Sequence, residues 1–326
     1  MTRPLLDRFA AQLPVGPQTP VVSLGEGSTP LLRADRLARA AGVRELWLKW
    51  EASNPTGSYK DRGMTVAVSK ALEQGAAAVL CASTGNTAGS AAAYAARAGL
   101  PALVLTPRGA VAGAKLAQTR MLGATVLEVD GSFDDALRAA QELADRGAHV
   151  LVNSLNPHRR EGQKTAVLEI VEELEGAPDA FVLPYGGGGN TSSYAQALRE
   201  LGLETPIVSV EAARRRETLA TAIRIGDPVH AEAVTASGAR VVSATDDELV
   251  AAWRALATEE GLFCEPSSAA GLAAVLRGDV EGERLVVTIT GHGLKDPATA
   301  DRLAPPPVEV DPDPDAIVSA SRSDLD

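Results

Sequence analysis

Short apolar runs alternate along the chain with Ala-rich segments whose apolar positions recur at the helical period. The runs predict strands, and the segments that follow them predict helices. The predicted strands and their following helices are 46–50 with 61–74, 78–82 with 86–98, 102–106 with 111–122, 125–129 with 133–146 and 179–185 with 191–201, and two further strands lie at 206–211 and 284–290. Strands that alternate with helices in this way are typical of a mostly parallel sheet with helices on both faces. The sequence therefore predicts an α/β fold.

A chain of 326 residues suits about two domains. We expect each domain to be an open, mostly parallel sheet with helices on both faces, because the strand runs are continuously apolar. The predicted smaller domain is 45–150, and the predicted larger domain combines 1–44 with 151–326. Residues 304–326 are rich in Pro and Asp and read as loose by composition, although 308–310 and 315–320 could form a last strand and helix.

Composition narrows the class of protein. The formal net charge of −11 argues against nucleic acid as a partner, because phosphate backbones require a basic surface. No apolar run approaches the ~20 residues that span a bilayer, and the first residues contain no signal peptide, so we expect a cytoplasmic protein without a membrane partner. Cys81 and Cys264 are expected to be buried free thiols, and the scattered His and Cys residues predict no metal site.

Four consecutive glycines, Gly186, Gly187, Gly188 and Gly189, separate a predicted buried strand from a helix and are followed by Asn190. Backbone N–H groups at such a junction, together with the helix dipole, form an anion site suited to a phosphate monoester. A plain tight turn is the alternative. A dinucleotide fingerprint is excluded, since Thr191 and Ser192 occupy the positions where its third glycine would stand.

Only six of the 31 basic residues are lysines, which leaves few candidates for chemistry that needs a titratable amine. Lys60 lies in the turn-rich segment 53–63, where Ser58 can cap a helix that carries Lys60 and Asp61 in its first turn. A lysine there opposes the helix dipole, which favours the neutral amine required of a nucleophile or Schiff-base residue. The alternative is a solvated lysine beside Asp61.

Two more strand-to-helix loops carry polar groups. The loop at 83–90, STGNTAGS, presents hydroxyl, amide and N–H groups that suit a carboxylate or a ring oxygen, with a simple helix cap as the alternative. Thr290 follows the last predicted strand and can place a hydroxyl at the sheet edge. In open α/β sheets ligands bind at the carboxyl ends of strands. A phosphate site, a reactive lysine and a carboxylate loop together indicate pyridoxal phosphate as the cofactor.

These motifs also resemble the threonine synthase family, within the tryptophan-synthase-β-like (fold type II) class of pyridoxal-phosphate enzymes. The resemblance covers nearly the whole chain and rests on LGEGSTPLL (24–32), NPTGSYKDRGM (54–64), STGNTAGS (83–90), NSLNPHRREGQKTA (153–166), ETLATAIRIG (217–226), FCEPSSAA (263–270) and TGHGLKDP (290–297). The lysine, STGNT and glycine-loop motifs belong to the whole class. The NPHRREGQKTA, ATAIRIG and TGHGLKDP segments are closer to threonine synthases than to dehydratases or cysteine synthases.

The resemblance implies a role for each motif. Lys60 would be the catalytic residue and would hold the cofactor as an internal aldimine. The remaining implied cofactor contacts are Asn86 to the ring hydroxyl, Gly186, Gly187, Gly188, Gly189 and Asn190 to the phosphate, and Thr290 to the ring nitrogen. A hydroxyl at Thr290 would not keep that nitrogen protonated, which suits elimination and replacement chemistry. The substrate carboxylate would lie on Thr84, Gly85 and Thr87, and the substrate phosphate near Ser83, Thr87, Ser154 and Arg159.

The implied reaction is that of a lyase in threonine biosynthesis, in which O-phospho-L-homoserine and water give L-threonine and phosphate by γ-elimination and β-addition of water. A homodimer is implied by the same resemblance. Four positions depart from the family pattern. The family loop GNAGN is GGGGN here, so Gly187 replaces an Asn expected to help hold the substrate phosphate and Gly188 replaces an Ala, while Tyr59 replaces a Phe and His158 replaces a Tyr. We expect His158 to lie in a surface loop.

Gly187 leaves a second enzyme open, a paralogous lyase or β/γ-replacement enzyme that acts on another phosphorylated or activated amino acid. A catalytically silent ligand-binding α/β protein is the alternative from another class, and it would bind no yellow cofactor.

Overall fold

The computed structural model describes residues 3–109 and 113–322, which form ten strands and thirteen α-helices. The strands are β1 (Leu31–Arg33), β2 (Glu45–Trp50), β3 (Ala78–Ala82), β4 (Ala102–Pro107), β5 (Thr125–Val129), β6 (His149–Leu151), β7 (Ala180–Pro184), β8 (Ile207–Ala212), β9 (Arg240–Ala244) and β10 (Arg284–Ile289). The helices are α1 (Leu5–Arg8), α2 (Asp35–Ala41), α3 (Lys60–Glu73), α4 (Asn86–Ala98), α5 (Gly113–Met121), α6 (Phe133–Asp145), α7 (Pro157–Glu173), α8 (Gly189–Leu201), α9 (Ala231–Ala236), α10 (Asp246–Glu260), α11 (Ala270–Arg277), α12 (Pro297–Leu303) and α13 (Pro314–Arg322). The predicted α/β class is confirmed.

The strands form two sheets. The six-stranded sheet has the order β1-β2-β10-β7-β8-β9, and the four-stranded sheet has the order β5-β4-β3-β6. All pairs are parallel except β1 with β2, so the predicted mostly parallel arrangement is confirmed. Strands β3 and β7 are fully buried, as their continuous apolar sequences predict.

One predicted strand belongs to the other sheet. We expected residues 45–50 in the smaller domain, but β2 pairs in parallel with β10 over its whole length, from Glu45 beside Arg284 to Trp50 beside Ile289. The four-stranded sheet therefore begins at Ala78. Residues 1–296 form one compact unit that contains both sheets, and 297–326 form another. The division into two sheet-based domains stays a prediction.

Helices α3 and α7 cross at two glycines. A Cβ atom on Gly63 would lie 2.4 Å from the carbonyl oxygen of Arg159, and one on Gly162 would lie 1.9 Å from that of Arg62. Larger residues at either position would force the helices apart. This close crossing places Arg159 against the helix that begins at Lys60.

The remaining boundaries follow the sequence pattern closely. Helix α4 has the predicted ends, whereas α8 begins at Gly189, two residues before the predicted start. The predicted start of the helix at 111–122 lies outside the described residues, and α5 is described from Gly113. In the C-terminal unit α13 confirms the predicted helix, while 308–310 form no strand. Within the described residues, every helix is too short or too polar to cross a bilayer.

Candidate active site

Three of the predicted loops follow neighbouring strands. Strand β10 lies between β2 and β7, and the three are parallel, so the loops that lead to Lys60, to Thr290 and to the glycines leave the same edge of the sheet. Backbone contacts join the first two loops directly: the N–H of Tyr59 donates to the carbonyl of Thr290 at 3.0 Å, and Ser58 pairs with Gly291 in an antiparallel bridge. The sheet order therefore brings together loops that are far apart in sequence.

Lys60 is the first residue of α3 and is half-buried. Its N–H donates to the Ser58 hydroxyl at 3.2 Å. The prediction that Ser58 caps the helix is wrong, because Tyr59 is the N-cap residue and no side chain caps it. Its Nζ lies 2.6 Å from the Tyr59 hydroxyl and 4.4 Å from the centre of the Tyr59 ring. The amine is therefore positioned by its neighbouring residue, and within the described residues it forms no ion pair.

Asp61, the next residue, is fully buried and does not reach the solvent. Its carboxylate accepts hydrogen bonds from the N–H and the hydroxyl of Thr56, both at 2.7 Å, and from the Ser90 hydroxyl at 2.6 Å. Burial raises the pKa of Asp61 to about 6, because a charged carboxylate loses its hydration there. Asp61 therefore forms no ion pair with Lys60 among the described residues and instead links the Lys60 loop to α4.

The STGNT loop follows β3, and Asn86 is the first residue of α4. The side-chain N–H of Asn86 donates to Oε2 of Glu265 at 2.8 Å, while its buried Oδ1 has no partner among the described residues. Oε1 of Glu265 pairs with Nζ of Lys115 at 2.6 Å.

The Ser83 hydroxyl accepts from the N–H of Gly85 at 3.1 Å, and Thr84 and Thr87 are half-buried. The loop thus presents a partly accessible polar surface.

The glycine loop leads from β7 into α8. Gly188 has φ +81°, a left-handed conformation that favours glycine, and a Cβ there would lie 3.1 to 3.3 Å from its neighbours. Gly187 has no such requirement: its Cβ would lie 3.7 Å or more from Val229 and Ile225. The first N–H groups of α8 have no intrahelical acceptor, and the buried Nδ2 of Asn190 has no partner in the described chain. These groups are free to bind an anion, and the phosphate site stays a prediction.

Thr290 is buried directly after β10, and its hydroxyl lies 2.9 Å from that of Ser268. The Ser268 hydroxyl in turn accepts from the N–H of Gly291 at 2.9 Å. The Thr290 hydroxyl is therefore held at the end of the strand by a second hydroxyl.

Arg159 is completely buried in α7. Its Nη1 donates to the carbonyl of Val152 at 2.8 Å, but Nε and Nη2 have no partner within residues 3–109 and 113–322. These two atoms lie on one edge of the guanidinium and form the fork that grips two oxygens of an anion. Burial lowers the pKa of Arg159, and no described carboxylate forms an ion pair with it. Its charge thus lacks a counter-charge in direct contact within the described part of the chain.

A second connection places Ser154 beside the other loops. The side chain of Asn153 accepts from the N–H of Ala82 at 2.9 Å and donates to the Ala82 carbonyl at 2.8 Å, which extends the β3–β6 pairing by one residue. Ser154 follows, and its Cβ lies 3.6 Å from the Cβ position of Gly189.

His158 is not in a surface loop as expected: it is half-buried in the first turn of α7, because Asn156 caps that helix through the His158 N–H.

Comparison with known proteins identifies the family. Residues 22–291 match the model of the pyridoxal-phosphate dependent enzymes. The chain belongs to this family. It is 44% identical to the threonine synthase of Bacillus sp. (strain ULM1), covering 92% of both chains, and 47% identical to that of Mycobacterium leprae (strain TN), covering 93% of this chain and 92% of the relative. Maize serine racemase has a similar fold, with a TM-score of 0.78 at 22% identity over 92% of this chain and 94% of that one.

The residues at the site fit pyridoxal phosphate. A half-buried amine is available at Lys60 for the aldehyde, and the loop in which Gly188 is left-handed presents N–H groups that could donate to a phosphate. The buried Oδ1 of Asn86 and Nδ2 of Asn190 have no partners in the described chain, and buried polar groups of this kind are normally hydrogen-bonded. The predicted cofactor is confirmed by membership of this pyridoxal-phosphate enzyme family, and the protein is a pyridoxal-phosphate-dependent lyase.

From the sequence alone we assigned no role to three residues whose contacts organise the site. They are Glu265, Ser268 and Lys115. Glu265 and Ser268 lie in the FCEPSSAA segment, where a charged residue among small and apolar ones signals a buried polar contact. Lys115 was one of only six lysines, but its sequence neighbours gave no indication that it pairs with Glu265.

Proposed function

We propose that the protein converts O-phospho-L-homoserine and water to L-threonine and phosphate. The relatives that support this are named threonine synthases and are 43–47% identical over more than 90% of this chain. The observation that carries the choice of a phosphorylated substrate is Arg159, a completely buried guanidinium whose Nε and Nη2 have no partner in the described chain. A buried unpaired charge is costly, and a phosphate would satisfy it.

The cofactor contacts are part of the same proposal. Lys60 would hold the cofactor covalently, Asn86 would bond its ring hydroxyl, and Thr290 would lie toward its ring nitrogen. The loop from Gly186 to Asn190 binds its phosphate through N–H groups at the start of α8. When bound, pyridoxal phosphate supplies an electron-accepting ring that stabilises negative charge on the carbon next to the substrate amine.

The substrate contacts follow from the positions of the loops. Thr84, Gly85 and Thr87 bind the substrate carboxylate through the N–H and hydroxyl groups at the start of α4. Ser83, Thr87, Ser154 and Arg159 bind the phosphate. Ser154 is supported by the Asn153 side chain, which ties its loop to the end of β3 beside Ser83.

Lys60 is the proton carrier of the proposed reaction. Its free amine would remove the protons at Cα and Cβ of the substrate and return protons to Cγ and Cα. The Cγ–O bond breaks and phosphate leaves, a water molecule places its hydroxyl on Cβ, and the departing phosphate accepts the proton that this water releases. The Tyr59 hydroxyl, 2.6 Å from Nζ, holds the amine at the mouth of the site between these steps.

A second substrate is favoured by one observation. Gly187 presents no side chain where the resemblance implies an Asn, and the space beside it would accept a Cβ. An enzyme that acts on a different phosphorylated or activated amino acid would have the same cofactor site.

Assembly and location belong to the proposal as well. The resemblance that supports the activity also implies a homodimer, which sedimentation equilibrium of the holoenzyme tests, and the cytoplasmic location is the expectation drawn from the sequence.

The function is tested with the purified holoenzyme. Incubation with O-phospho-L-homoserine should release phosphate and L-threonine in equal amounts, and Lys60→Ala should abolish the release. Release from O-phospho-L-serine or an O-acetylated amino acid, but not from O-phospho-L-homoserine, would establish the second reading instead.

A further inference from the structure

His230 lies against the glycine loop, although it belongs to a different part of the chain. It directly precedes α9 and is 9% exposed. Its backbone N–H donates to the carbonyl of Gly187 at 3.0 Å. Its ring lies beside the end of the loop, where Cδ2 and Nε2 are each 3.5 Å from the Cβ position of Gly189. His230 is therefore fixed to the loop by its backbone and covers it with its side chain.

Ser154 approaches the same place from another loop. Its Cβ lies 3.6 Å from the Cβ position of Gly189, at a distance similar to that of the His230 ring. The backbone of Ser154 also interacts with the imidazole, an interaction that favours its protonated form. His230 and Ser154 thus both lie within contact distance of the start of α8.

The Nε2 atom of His230 is buried and has no hydrogen-bond partner in the described part of the chain. Buried polar atoms are rarely left without a partner, so this one requires an explanation. Burial lowers the pKa of His230, and the positive charges of Arg160 and Lys60 lower it further. The surroundings of the ring are therefore electropositive, which suits an anionic ligand.

The neighbouring Gly187 lacks the side chain that the resemblance implies for binding the substrate phosphate. Its backbone does not require glycine, and a Cβ would meet Val229 Cγ2 only at 3.7 Å. The missing contact is therefore not a consequence of limited space. Another group at this end of the loop can take the place of the absent amide.

We propose that His230 binds the phosphate of the substrate through Nε2 and so replaces the side chain that Gly187 lacks. The proposal rests on the proposed function, and it makes His230 a determinant of specificity for phosphorylated substrates. A phosphate monoester has a second pKa near 6, so it can hold or release a proton near neutral pH. One hydrogen bond joins Nε2 to a phosphate oxygen whichever partner carries the proton.

The cofactor phosphate is the other anion at this loop. The N–H groups from Gly187 to Asn190 are its proposed partners, and they do not involve the imidazole. The two phosphates are separated experimentally by measuring cofactor binding to the apoprotein and phosphate binding to the holoenzyme, in which the cofactor site is filled.

The test compares His230→Ala with wild type and with Glu232→Ala, an exposed control on α9. Calorimetric titration of inorganic phosphate into the holoenzyme should show roughly tenfold to hundredfold weaker binding in His230→Ala, the range expected for one hydrogen bond to a charged group. Titration of the apoproteins with pyridoxal phosphate should give unchanged affinity. Glu232→Ala should match wild type in both titrations.

Two further measurements bear on the proposal. The double variant His230→Ala with Gly187→Asn should regain phosphate affinity. The KM values of the variants for O-phospho-L-homoserine should rank in the same order as their dissociation constants for phosphate. Unchanged phosphate binding in His230→Ala, or a loss confined to pyridoxal phosphate, would overturn it. His230→Phe keeps the ring volume without the nitrogen and gives the same comparison should the Ala variant fail to fold. The calorimetry is independent of turnover, so a failure of the proposed function would be recognised separately.

Discussion

The hydroxyl of Tyr59 lies 2.6 Å from Nζ of Lys60, on the residue directly before it in the chain. The backbone N–H of the same tyrosine donates to the Thr290 carbonyl at the end of β10. Tyr59 therefore connects the amine that is proposed to hold the cofactor with the end of β10, where Thr290 is proposed to face the cofactor ring. A phenylalanine at this position would keep the backbone connection and lose the contact to the amine.

Tyr59→Phe should bind the cofactor normally and turn over several-fold more slowly, because one hydrogen bond to the proton-carrying amine is lost. Absorbance of the bound cofactor and kcat with O-phospho-L-homoserine provide the two measurements. A variant with undiminished kcat would show that the hydroxyl has no part in the reaction.

Two completely buried arginines, Arg62 and Arg159, differ in their partners. Arg62 is enclosed by Glu51 and Glu169, with Nε 2.7 Å from Glu51 and Nη2 2.6 Å from Glu169. Burial opposes the charge, but the two carboxylates raise the pKa of Arg62 well above its ordinary value. Arg159 has one carbonyl partner and two nitrogens without any among the described residues. Arg62 is therefore structural, whereas Arg159 is suited to a ligand.

Variants of the two arginines should differ in which property they impair, stability or substrate binding. Arg62→Met leaves buried carboxylates uncompensated and should reduce the free energy of unfolding by about 3–5 kcal/mol. Arg159→Lys keeps the charge but loses the fork, so KM for the phosphorylated substrate should rise at least about tenfold with little change in stability. Urea unfolding and steady-state kinetics distinguish them, and an Arg159→Lys enzyme with normal KM would remove Arg159 from the phosphate site.

The sequence predicted the position of Arg159 at the site only through its family resemblance. The NPHRREGQKTA segment shows a capped helix start, but a single chain does not reveal that α3 and α7 cross at Gly63 and Gly162 and bury the guanidinium. The partners of Arg62 were equally hidden, because Glu51 and Glu169 are far from each other in sequence and meet only in the folded chain.

The glycine loop contains one position that requires glycine and one that does not. Gly188→Ala should destabilise the protein by about 1–2 kcal/mol, the cost of a left-handed conformation for a residue with a Cβ, and should weaken cofactor binding. Gly187→Ala should be tolerated, since its Cβ meets no atom closer than 3.7 Å. Urea titration and cofactor titration of both variants test this. Equal losses in the two variants would contradict the assigned loop geometry.

The stability of the protein should depend on pH through Asp61. A carboxyl whose pKa rises on folding stabilises the folded state while it is protonated in both states, below about pH 4. That contribution decreases as the pH rises through the folded-state pKa of about 6. The free energy of unfolding of Asp61→Asn relative to wild type should therefore increase between pH 4 and pH 7, on the order of 2–3 kcal/mol.

Asp61→Asn also alters the hydrogen bonds from Thr56 and Ser90, but the dependence of these bonds on the charge of Asp61 is already contained in its pKa of about 6. Urea titrations of both proteins at the two pH values isolate the pH-dependent part. A difference that stays constant would show that burial does not raise the pKa of this carboxyl.

Fold class and most strand and helix positions were predicted from periodicity, because buried parallel strands and amphipathic helices leave local patterns. The sheet to which β2 belongs was not predicted, since strand pairing is decided by contacts between distant residues such as Glu45 and Arg284. The same limit explains why the sequence did not reveal the role of Glu265, because its contacts with Asn86 and Lys115 join segments that are far apart in sequence. His230 gave no signal in the sequence because a lone histidine after a proline-containing turn is unremarkable.

The proposed reaction is tested by running the wild-type holoenzyme with O-phospho-L-homoserine in water enriched in oxygen-18 and analysing both products by mass spectrometry. We expect L-threonine with one oxygen-18 atom in its hydroxyl group and phosphate without label, because the Cγ–O bond breaks and water adds at Cβ. Labelled phosphate with homoserine, or no threonine at all, would contradict it.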